Sequence, residues 1–435
     1  MASSKDVHSD PAADRAAIDL GAVRASPNVL SRHYTRFKVA QRILLTGHSH
    51  QAWPDCALDG LIQCFADAAE HVDDKWGRAF EMADRVRRGF ARLLESAADA
   101  RSPQSPGAPS GDIALGANTH ELVVRFISAL PLDRRPRLVT TDGEFHTLRR
   151  QLDRLGEAGL EIERVDAHPV ETLSARLAEA TNDRTAAVFV SCVLFRNARI
   201  VHGLNLVLER CQQVGAELLV DAYHQLNVVP FSLAEQGLEA AYVVGGGYKY
   251  LQLGEGNCFL RVPAGCTLRP VVTGWFSEFS VLSRSARSGH VQYGEGPDRF
   301  AGATYDPSSH YRAARVLEFF DRHRLDAMLL REISQHQVSL LATRFDDLDL
   351  DPSLITRERD VPLSEIGGFL ALHTPHAAQF SAGLQSAGIS TDYRGSSLRL
   401  GPAPYLSDAQ LELAIEALAE VSRTLKGDIR QRGHS

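Results

Sequence analysis

The sequence predicts an α/β fold in which a mostly parallel sheet is flanked by helices and followed by a smaller α+β domain. Between residue 113 and about residue 250, short apolar runs alternate with amphipathic segments. This alternation is typical of parallel strands joined by crossover helices. A smaller version of it returns after residue 367. A chain of 435 residues, 44% of them hydrophobic, is long enough for two or three such units.

Two helices are predicted ahead of the sheet, at residues 58–74 and 80–97, where apolar residues recur every three or four positions. Strands of the large sheet are predicted at residues 113–116, 135–141, 160–167, 185–195, 216–221 and 240–244. The helices between them are predicted at residues 119–130, 145–159, 170–180 and 204–215. Ligands of such sheets bind at the carboxyl ends of the strands.

The domain boundaries follow from these patterns. Residues 1–20 are polar and aperiodic, which predicts a flexible arm. Residues 21–75 are expected to pack with the small domain, residues 76–280 to form the large domain, and residues 281–435 to form the C-terminal small domain. Ser407 followed by Gln410 is a capping-box pattern for the last helix.

Composition sets the broad class of the protein. With 47 basic and 54 acidic side chains, a net charge of -7 and no basic stripe, a nucleic-acid partner is not expected. The six cysteines form no CxxC pair, so neither a metal site nor a disulfide framework is predicted, and a reducing cytoplasm fits best. No signal peptide or membrane-spanning run is apparent, so no membrane association is expected.

Polar residues follow several of the predicted strands. Asn118 and Thr119 lie between a strand and a helix, where helix amides favour a phosphate, although an ordinary N-cap fits as well. Asp221 ends a buried strand and needs a cation or donors, unless it lies at the surface. Phe145 follows another strand and could cover a flat ligand, or begin the next helix as a core aromatic.

The stretch GGGYKYLQLGEG, residues 245–256, places Lys249 in a glycine-rich turn after a buried strand. Glycines of this kind allow positive φ angles or close approach of the backbone, and a lysine there is either solvated or functional. An amine, a strand-end acid, an aromatic face and a phosphate cradle are together what pyridoxal 5′-phosphate requires.

These motifs resemble the fold-type-I pyridoxal-phosphate enzymes of the class V aminotransferase superfamily, and kynureninase most of all, from about residue 40 onward. The most specific piece, VGGGYKYLQLGEGNCFLRV, is similar to the kynureninase run C-G-Y-K-Y-L-N-G-G-P-G followed by a strand. The resemblance implies that Lys249 binds the cofactor covalently, that Tyr248 binds its phosphate, and that Asp221 faces the pyridine nitrogen with support from His224. It also places Asn118 and Thr119 at the phosphate and Phe145 on the ring.

Further matches lie downstream. VTGWFSE resembles G-W-[WF], which implies that Trp275 contacts the phosphate. DRFAGATYDP resembles R-F-x-x-G-T-P, which implies that Thr304 reaches the phosphate of a neighbouring subunit in a homodimer with active sites at the interface. TDYRGSSLRLGPAPY resembles D-F-R followed by L-R-F-G-x-x-P-L-Y, which implies that Arg399 holds the substrate carboxylate with both arms of its guanidinium. Arg394 is either part of this site or a solvated charge.

Substrate-facing motifs depart from the family. GHSHQAWP replaces N-S-L-G and places His48, Ser49 and His50 at the expected substrate mouth, or in a polar surface turn. F-P-T-D becomes FHTL, so that Leu148 replaces an acid.

The resemblance implies a kynureninase-like enzyme that hydrolyses the Cβ–Cγ bond of an amino acid. Aminotransfer, epimerisation and C–S or C–C lyase chemistry remain alternatives. A cysteine desulfurase needs a mobile cysteine well beyond the lysine, and none follows Cys266. A catalytically inactive binding protein on the same fold is the non-enzyme alternative, against which the pairing of Asp221 with Lys249 weighs.

Overall fold

The computed structural model describes residues 18–95, 112–283 and 289–432, so the predicted N-terminal arm lies almost wholly outside the described residues. The helices are α1 (Leu20–Arg24), α2 (Cys56–His71), α3 (Trp76–Arg92), α4 (Thr119–Ser128), α5 (His146–Glu157), α6 (Leu173–Ala180), α7 (Leu204–Val214), α8 (Ser308–His323), α9 (Ala327–Asp347), α10 (Ala377–Ser386) and α11 (Asp408–Arg432). The strands are β1 (Ile43–Leu44), β2 (Ile113–Gly116), β3 (Arg137–Thr141), β4 (Glu161–Val165), β5 (Thr185–Ser191), β6 (Glu217–Asp221), β7 (Tyr242–Gly246), β8 (Cys258–Arg261), β9 (Leu370–His373), β10 (Ile389–Ser390), β11 (Asp392–Arg394) and β12 (Ser397–Leu400).

A seven-stranded sheet forms the centre of the large domain, with the strand order β2-β8-β7-β6-β5-β3-β4. The strands from β7 to β4 run parallel, and β8 is antiparallel to both β2 and β7. Every residue of β5 is buried, as expected for a central strand covered on both faces. The predicted α/β fold with a mostly parallel sheet is confirmed.

Helices cover the two faces of this sheet. On one face, side chains of α4 and α5 such as Phe126 and Leu152 pack with Phe189 of β5. On the other face, side chains of α6 and α7 such as Leu177 pack with Val188 of β5. Because successive residues of a strand point to opposite faces, Val188 and Phe189 belong to different cores.

The C-terminal part contains a three-stranded antiparallel sheet with the order β11-β12-β9. Helix α11 begins with the predicted capping box: the Ser407 N–H donates to Gln410 Oε1 at 3.0 Å, and the Gln410 N–H donates to Ser407 Oγ at 3.4 Å. Strand β1 of the N-terminal segment pairs with β10, beside this sheet. The domain boundaries themselves stay a prediction.

Helices α2 and α3 correspond to the two helices predicted ahead of the sheet, and both pack against α8. The sequence patterns did not indicate α8 and α9, which connect the two sheets along the chain. Within residues 18–95, 112–283 and 289–432, no helix combines the length and the apolar character that a bilayer crossing requires.

Candidate functional site

The carboxyl ends of β5, β6 and β7 open into a cavity of about 270 Å³. Parallel strands end at one edge of their sheet, so side chains that are far apart in the sequence meet there. Seven of the residues predicted for the cofactor line this cavity. They are Asn118, Thr119, Phe145, Asp221, His224, Tyr248 and Lys249.

The Lys249 amine lies at the centre of this group and is 5% exposed. Its Nζ atom is 2.8 Å from His224 Nε2 and 4.4 Å from the centroid of the Tyr223 ring. Burial lowers the pKa of Lys249 to about 7, although the charge of Asp221 opposes the shift and that of Arg399 adds to it. A large fraction of this lysine is therefore an uncharged nucleophile near neutral pH.

The glycines around Lys249 serve two different purposes. A Cβ on Gly246 would lie 2.5 Å from the Tyr223 hydroxyl and 2.5 Å from Cys258 Sγ. Gly246 therefore allows the strand to approach the tyrosine whose ring lies beside the amine. Gly254 and Gly256 have φ angles of +67° and +85°, which a residue with a side chain adopts only at a cost.

Asp221 ends β6 beside the lysine and pairs in register with Ser191 at the end of β5. The Tyr223 N–H donates to Asp221 Oδ1 at 2.9 Å. Burial raises the pKa of Asp221, while that N–H and the charge of Lys249 act in the opposite direction. A buried carboxylate at this position is most stable facing a cation.

Helix α4 begins at the same edge of the cavity. Asn118 is its N-cap, and Asn118 Oδ1 accepts the Glu121 N–H at 2.9 Å. The capping interpretation of Asn118 therefore holds, while Thr119 and His120 of the first helical turn line the cavity. Burial raises the pKa of Tyr248 to about 12, so its hydroxyl stays protonated and can donate to an anion.

Phe145 lies on another side of the lysine. Its ring centroid is 5.4 Å from Lys249 Nζ, and the Phe195 ring meets it edge-on at 5.5 Å. Phe145 directly precedes α5 and is only partly buried, so one face of the ring is available to the cavity.

Glu144 is a buried acid that the sequence patterns did not indicate. It accepts hydrogen bonds from the Thr141 hydroxyl at 2.7 Å and from the Ser191 hydroxyl at 2.5 Å. Burial raises the pKa of Glu144 to about 7, more than these hydrogen bonds lower it. Two features of the sequence could have indicated it. Glu144 directly precedes Phe145, and hydroxyl residues end two of the strands, Thr141 in β3 and Ser191 in β5.

Arg399 and His48 meet at a third residue, Asp392. Arg399 donates from Nε to Asp392 Oδ1 at 2.9 Å and from Nη2 to Asp392 Oδ2 at 2.5 Å. His48 Nε2 lies 2.8 Å from Asp392 Oδ1. The fork predicted to hold a substrate carboxylate is thus filled by a carboxylate of the chain itself.

This group is deeply buried, with His48 at 0% and Arg399 at 3% exposure. Burial lowers the pKa of His48 to about 4, against the effect of Asp392, so His48 is neutral and donates to Asp392. Burial would raise the pKa of Asp392, but His48 and Arg399 outweigh it and hold that pKa well below its usual range. His48 is therefore a buried partner of the C-terminal sheet rather than part of a surface turn.

His50 contacts two residues of the cavity wall, Tyr248 and Glu255. Its ring stacks on the Tyr248 ring at a centroid distance of 4.7 Å and an angle of 18°. His50 Nε2 is 3.6 Å from a Glu255 oxygen, and Ser49 Oγ is 3.2 Å from His50 Nδ1. A substrate role for His50 and Ser49 stays a prediction.

Trp275 and Thr304 lie together but outside the cavity around Lys249. The indole N–H of Trp275 donates to Thr304 Oγ1 at 3.3 Å, and Trp275 is 47% exposed. Thr304 lines a wider cavity of about 700 Å³, which shares Glu255 and Gly256 with the first. Within one chain, the structure does not bring these two residues to the predicted phosphate site.

The lining of the smaller cavity fits pyridoxal 5′-phosphate. Lys249 supplies an amine whose pKa is lowered, Asp221 a partly buried carboxyl group, and Phe145 a ring face. Helix α4 and Tyr248 supply donors for a phosphate. These groups come from separate elements, so no local pattern alone would have assembled them.

Comparisons with known proteins agree with this architecture. No model of a known protein family matches the sequence. An uncharacterized aminotransferase of Bacillus subtilis (strain 168), YcbU, is 23% identical over 397 residues, covering 87% of this chain and 96% of that protein.

Two solved structures are similar over most of their length. One is the cystine C–S lyase C-DES, as a mutant with glycine covalently linked to the PLP cofactor. It has a TM-score of 0.74 and 15% sequence identity, and the match covers 89% of this chain and 98% of that chain. The other is the apo cysteine desulfurase of Thermococcus onnurineus NA1, with a TM-score of 0.74 and 16% identity, covering 92% and 99%. The chain therefore has the fold type I architecture that the sequence predicted.

Proposed function

We propose that this protein is a pyridoxal-phosphate-dependent enzyme that acts on an amino acid. The observation that carries the proposal is Lys249, a buried amine with a pKa lowered to about 7, in one cavity with the partly buried acid Asp221. A binding module would need neither the unprotonated amine nor the acid. The fold shared with C-DES and the similarity to an aminotransferase support the same conclusion.

Bound in this cavity, pyridoxal phosphate supplies an electron-poor ring that makes the bonds at Cα of an attached amino acid labile. Asp221 would hold its ring nitrogen, and Tyr248 with the first amides of α4 would hold its phosphate. Phe145 would cover one face of the ring and exclude water from it.

Proton transfer falls to Lys249, and His224 orients its amine. The neutral Lys249 amine can take a proton at Nζ and return it, because its pKa lies near the working pH. Burial, together with the charge of Lys249, lowers the pKa of His224. His224 is therefore neutral, and at 2.8 Å its Nε2 can accept a hydrogen bond from Nζ and orient the amine.

Among the reactions open to this site, we put kynureninase-like hydrolysis of a Cβ–Cγ bond first, because the motif around Lys249 is most similar to that family. Aminotransfer is the second candidate, on account of the similarity to YcbU. Cysteine desulfurase chemistry is disfavoured, because no cysteine follows Cys266 and burial raises the pKa of Cys258 to about 12.

We also propose a homodimer. Thr304 lines the wider cavity, which shares Glu255 and Gly256 with the cavity around Lys249, and it accepts a hydrogen bond from the half-exposed Trp275. In a dimer, Thr304 of one copy would face the phosphate site of the other. Sedimentation velocity of wild type and of Thr304→Ala, combined with cofactor affinity, tests this: the variant is expected to remain dimeric and to bind the cofactor more weakly.

Reconstitution tests the function. Protein loaded with pyridoxal phosphate is expected to absorb in the visible range and to change its spectrum on addition of an amino acid. Release of anthranilate and alanine from kynurenine would support hydrolysis, whereas a keto acid product would favour aminotransfer. A spectrum that no amino acid changes would favour the non-catalytic alternative.

A further inference from the structure

A second cavity of about 390 Å³ adjoins the one around Lys249, and we call it the arginine cavity. Phe195 belongs to the walls of both cavities. The arginine cavity is lined by several cationic or titratable side chains. They are His146, His168, Arg196, His373 and Arg394, with Glu358 as the acid.

The two arginines are available to a ligand. Among the described residues, the Arg196 guanidinium has no hydrogen bond or ion pair, and it lies 5.8 Å from the Phe195 ring centroid. Arg394 is 41% exposed, donates to the carbonyl of its neighbour Tyr393 at 2.7 Å, and is 3.7 Å from Asp392. Each therefore retains N–H donors that a planar anion can accept.

The acid of this cavity is already paired. Glu358 lies 3.4 Å from His373 and 3.8 Å from Arg199, and the hydrogen bond from His373 contributes most to lowering its pKa. At the other end, the pKa of His146 is lowered by its partial burial and then by Arg149, Arg394 and Arg196. The field in the cavity is thus positive, as expected of an anion site.

Hydrogen bonds join the segment between the two cavities to strand β12. The Phe195 carbonyl accepts Arg399 Nη1 at 2.7 Å, and the Arg196 carbonyl accepts the Ser397 hydroxyl at 3.0 Å. Asp392 fills the fork of Arg399, whereas the guanidinium donors of Arg196 and Arg394 lie in the arginine cavity and stay available to a ligand. A substrate that occupies the cavity around Lys249 would reach the arginine cavity along the wall that Phe195 contributes to both.

We infer that the substrate is an amino acid with a second anionic group, which binds in the arginine cavity to Arg196 and Arg394. The inference rests on the proposed function and deepens it by naming the substrate class. The anion is a carboxylate, sulfonate or phosphate ester at the end of the side chain, distinct from the α-carboxylate. Kynurenine itself lacks such a group, so the reaction proposed above would act on a different amino acid that carries one.

Spectral titration of the holoenzyme tests this inference. Glutamate, 2-aminoadipate, homocysteate and O-phosphoserine would be compared with the neutral glutamine and norleucine and with kynurenine. Because one charge-assisted hydrogen bond exceeds a neutral one by about a factor of ten in affinity, an acidic ligand held by both arginines is expected to bind at least about tenfold more tightly. The ranking among the acidic ligands distinguishes the three anion types.

Variants locate the effect. In the double variant Arg196→Gln/Arg394→Gln, the preference for acidic over neutral ligands is expected to disappear, so that the ratio of affinities falls to about one. The affinity for neutral ligands is expected to stay unchanged. Arg150→Gln, an exposed arginine on α5, serves as the matched control and is expected to keep the preference. Equal weakening of neutral and acidic ligands would place the α-carboxylate there instead and overturn the inference, as would tightest binding of kynurenine.

Failure of the proposed function is recognised separately, because the protein would then take up no cofactor, or its cofactor spectrum would respond to none of the amino acids, neutral or acidic. In that case calorimetry with glutarate, a dicarboxylate without an amine, measures the anion site directly. Glutarate binding that is lost in the double variant would show that the arginine cavity binds anions even though the proposed enzymatic function is wrong. Absence of glutarate binding in the wild type would refute it.

Discussion

Replacing Asp392 with asparagine should loosen the C-terminal sheet far more than a surface change of the same kind. Asp392 is the shared acceptor of His48 and Arg399, two side chains that are almost wholly buried. The substitution leaves the Arg399 charge buried without its counter-ion, so a loss of stability is expected. The loss should be largest in β11 and β12, because these strands carry Asp392 and Arg399.

The magnitude follows from the geometry. At the 2.9 Å distance between Arg399 Nε and Asp392 Oδ1, opposite charges attract by about 6 kcal/mol at an effective dielectric constant of about 20. Part of that attraction offsets desolvation. Removing one partner of a buried pair typically costs about 3–5 kcal/mol, whereas removing both costs much less. We therefore expect about 3 kcal/mol from Asp392→Asn.

Hydrogen exchange of the β11 and β12 amides in the apo protein is the suitable assay, because a chain with two units need not unfold in one step. The single variants Asp392→Asn and Arg399→Met would be compared with the double variant, and a coupling of at least about 2 kcal/mol is expected. Asp321→Asn, in the exposed pair with Arg92, is the control and should change little. Additivity within about 0.5 kcal/mol would refute the buried pairing.

Three further predictions concern the site and its support. The Glu144 pKa of about 7 lies above its ordinary 4.5, so the folded state binds more protons than the unfolded state between these pH values. The wild type therefore loses stability as pH rises through that window. In urea unfolding, the free energy of unfolding of Glu144→Gln should rise relative to that of the wild type by about 2–3 kcal/mol between pH 5 and pH 8. A side chain at Gly401 would overlap His48 Nδ1, so Gly401→Ala should lower the melting temperature by several degrees, whereas Gly77→Ala, with open space around it, should not. Because the Lys249 pKa is lowered to about 7, the rate of cofactor attachment to the apoenzyme should rise with pH and level off near pH 8; a rate still rising steeply at pH 9 would contradict the lowered pKa.

Local patterns were sufficient for most of the fold. Strand β2 was predicted at the residues where it is found, and the helix after it begins at Thr119 as predicted. These elements have a hydrophobic period, a cap or a glycine inside a short window, so their signal is local. Helix α8 was missed although it is long. Its consecutive residues 310–314 are all buried, polar His310 and Arg312 among them, so its buried surface does not follow a single apolar stripe.

The site residues also fall into those that local patterns could place and those that they could not. Lys249, Asp221 and Phe145 follow strands, and the rule that parallel strands end at one edge is enough to place them together. The pairing of His48 with Asp392 spans 344 residues of sequence, and no window contains both. A fork expected to bind substrate therefore proved to be occupied by the chain itself.

Reductive trapping of the cofactor tests the assignment of Lys249 most directly. The apoenzyme would be incubated with pyridoxal phosphate, reduced with borohydride and digested, and the modified peptide identified by mass spectrometry. We expect a single modified residue, Lys249, and loss of the modification in Lys249→Ala. A modification spread over exposed lysines, or one that persists in Lys249→Ala at the same yield, would contradict the assignment.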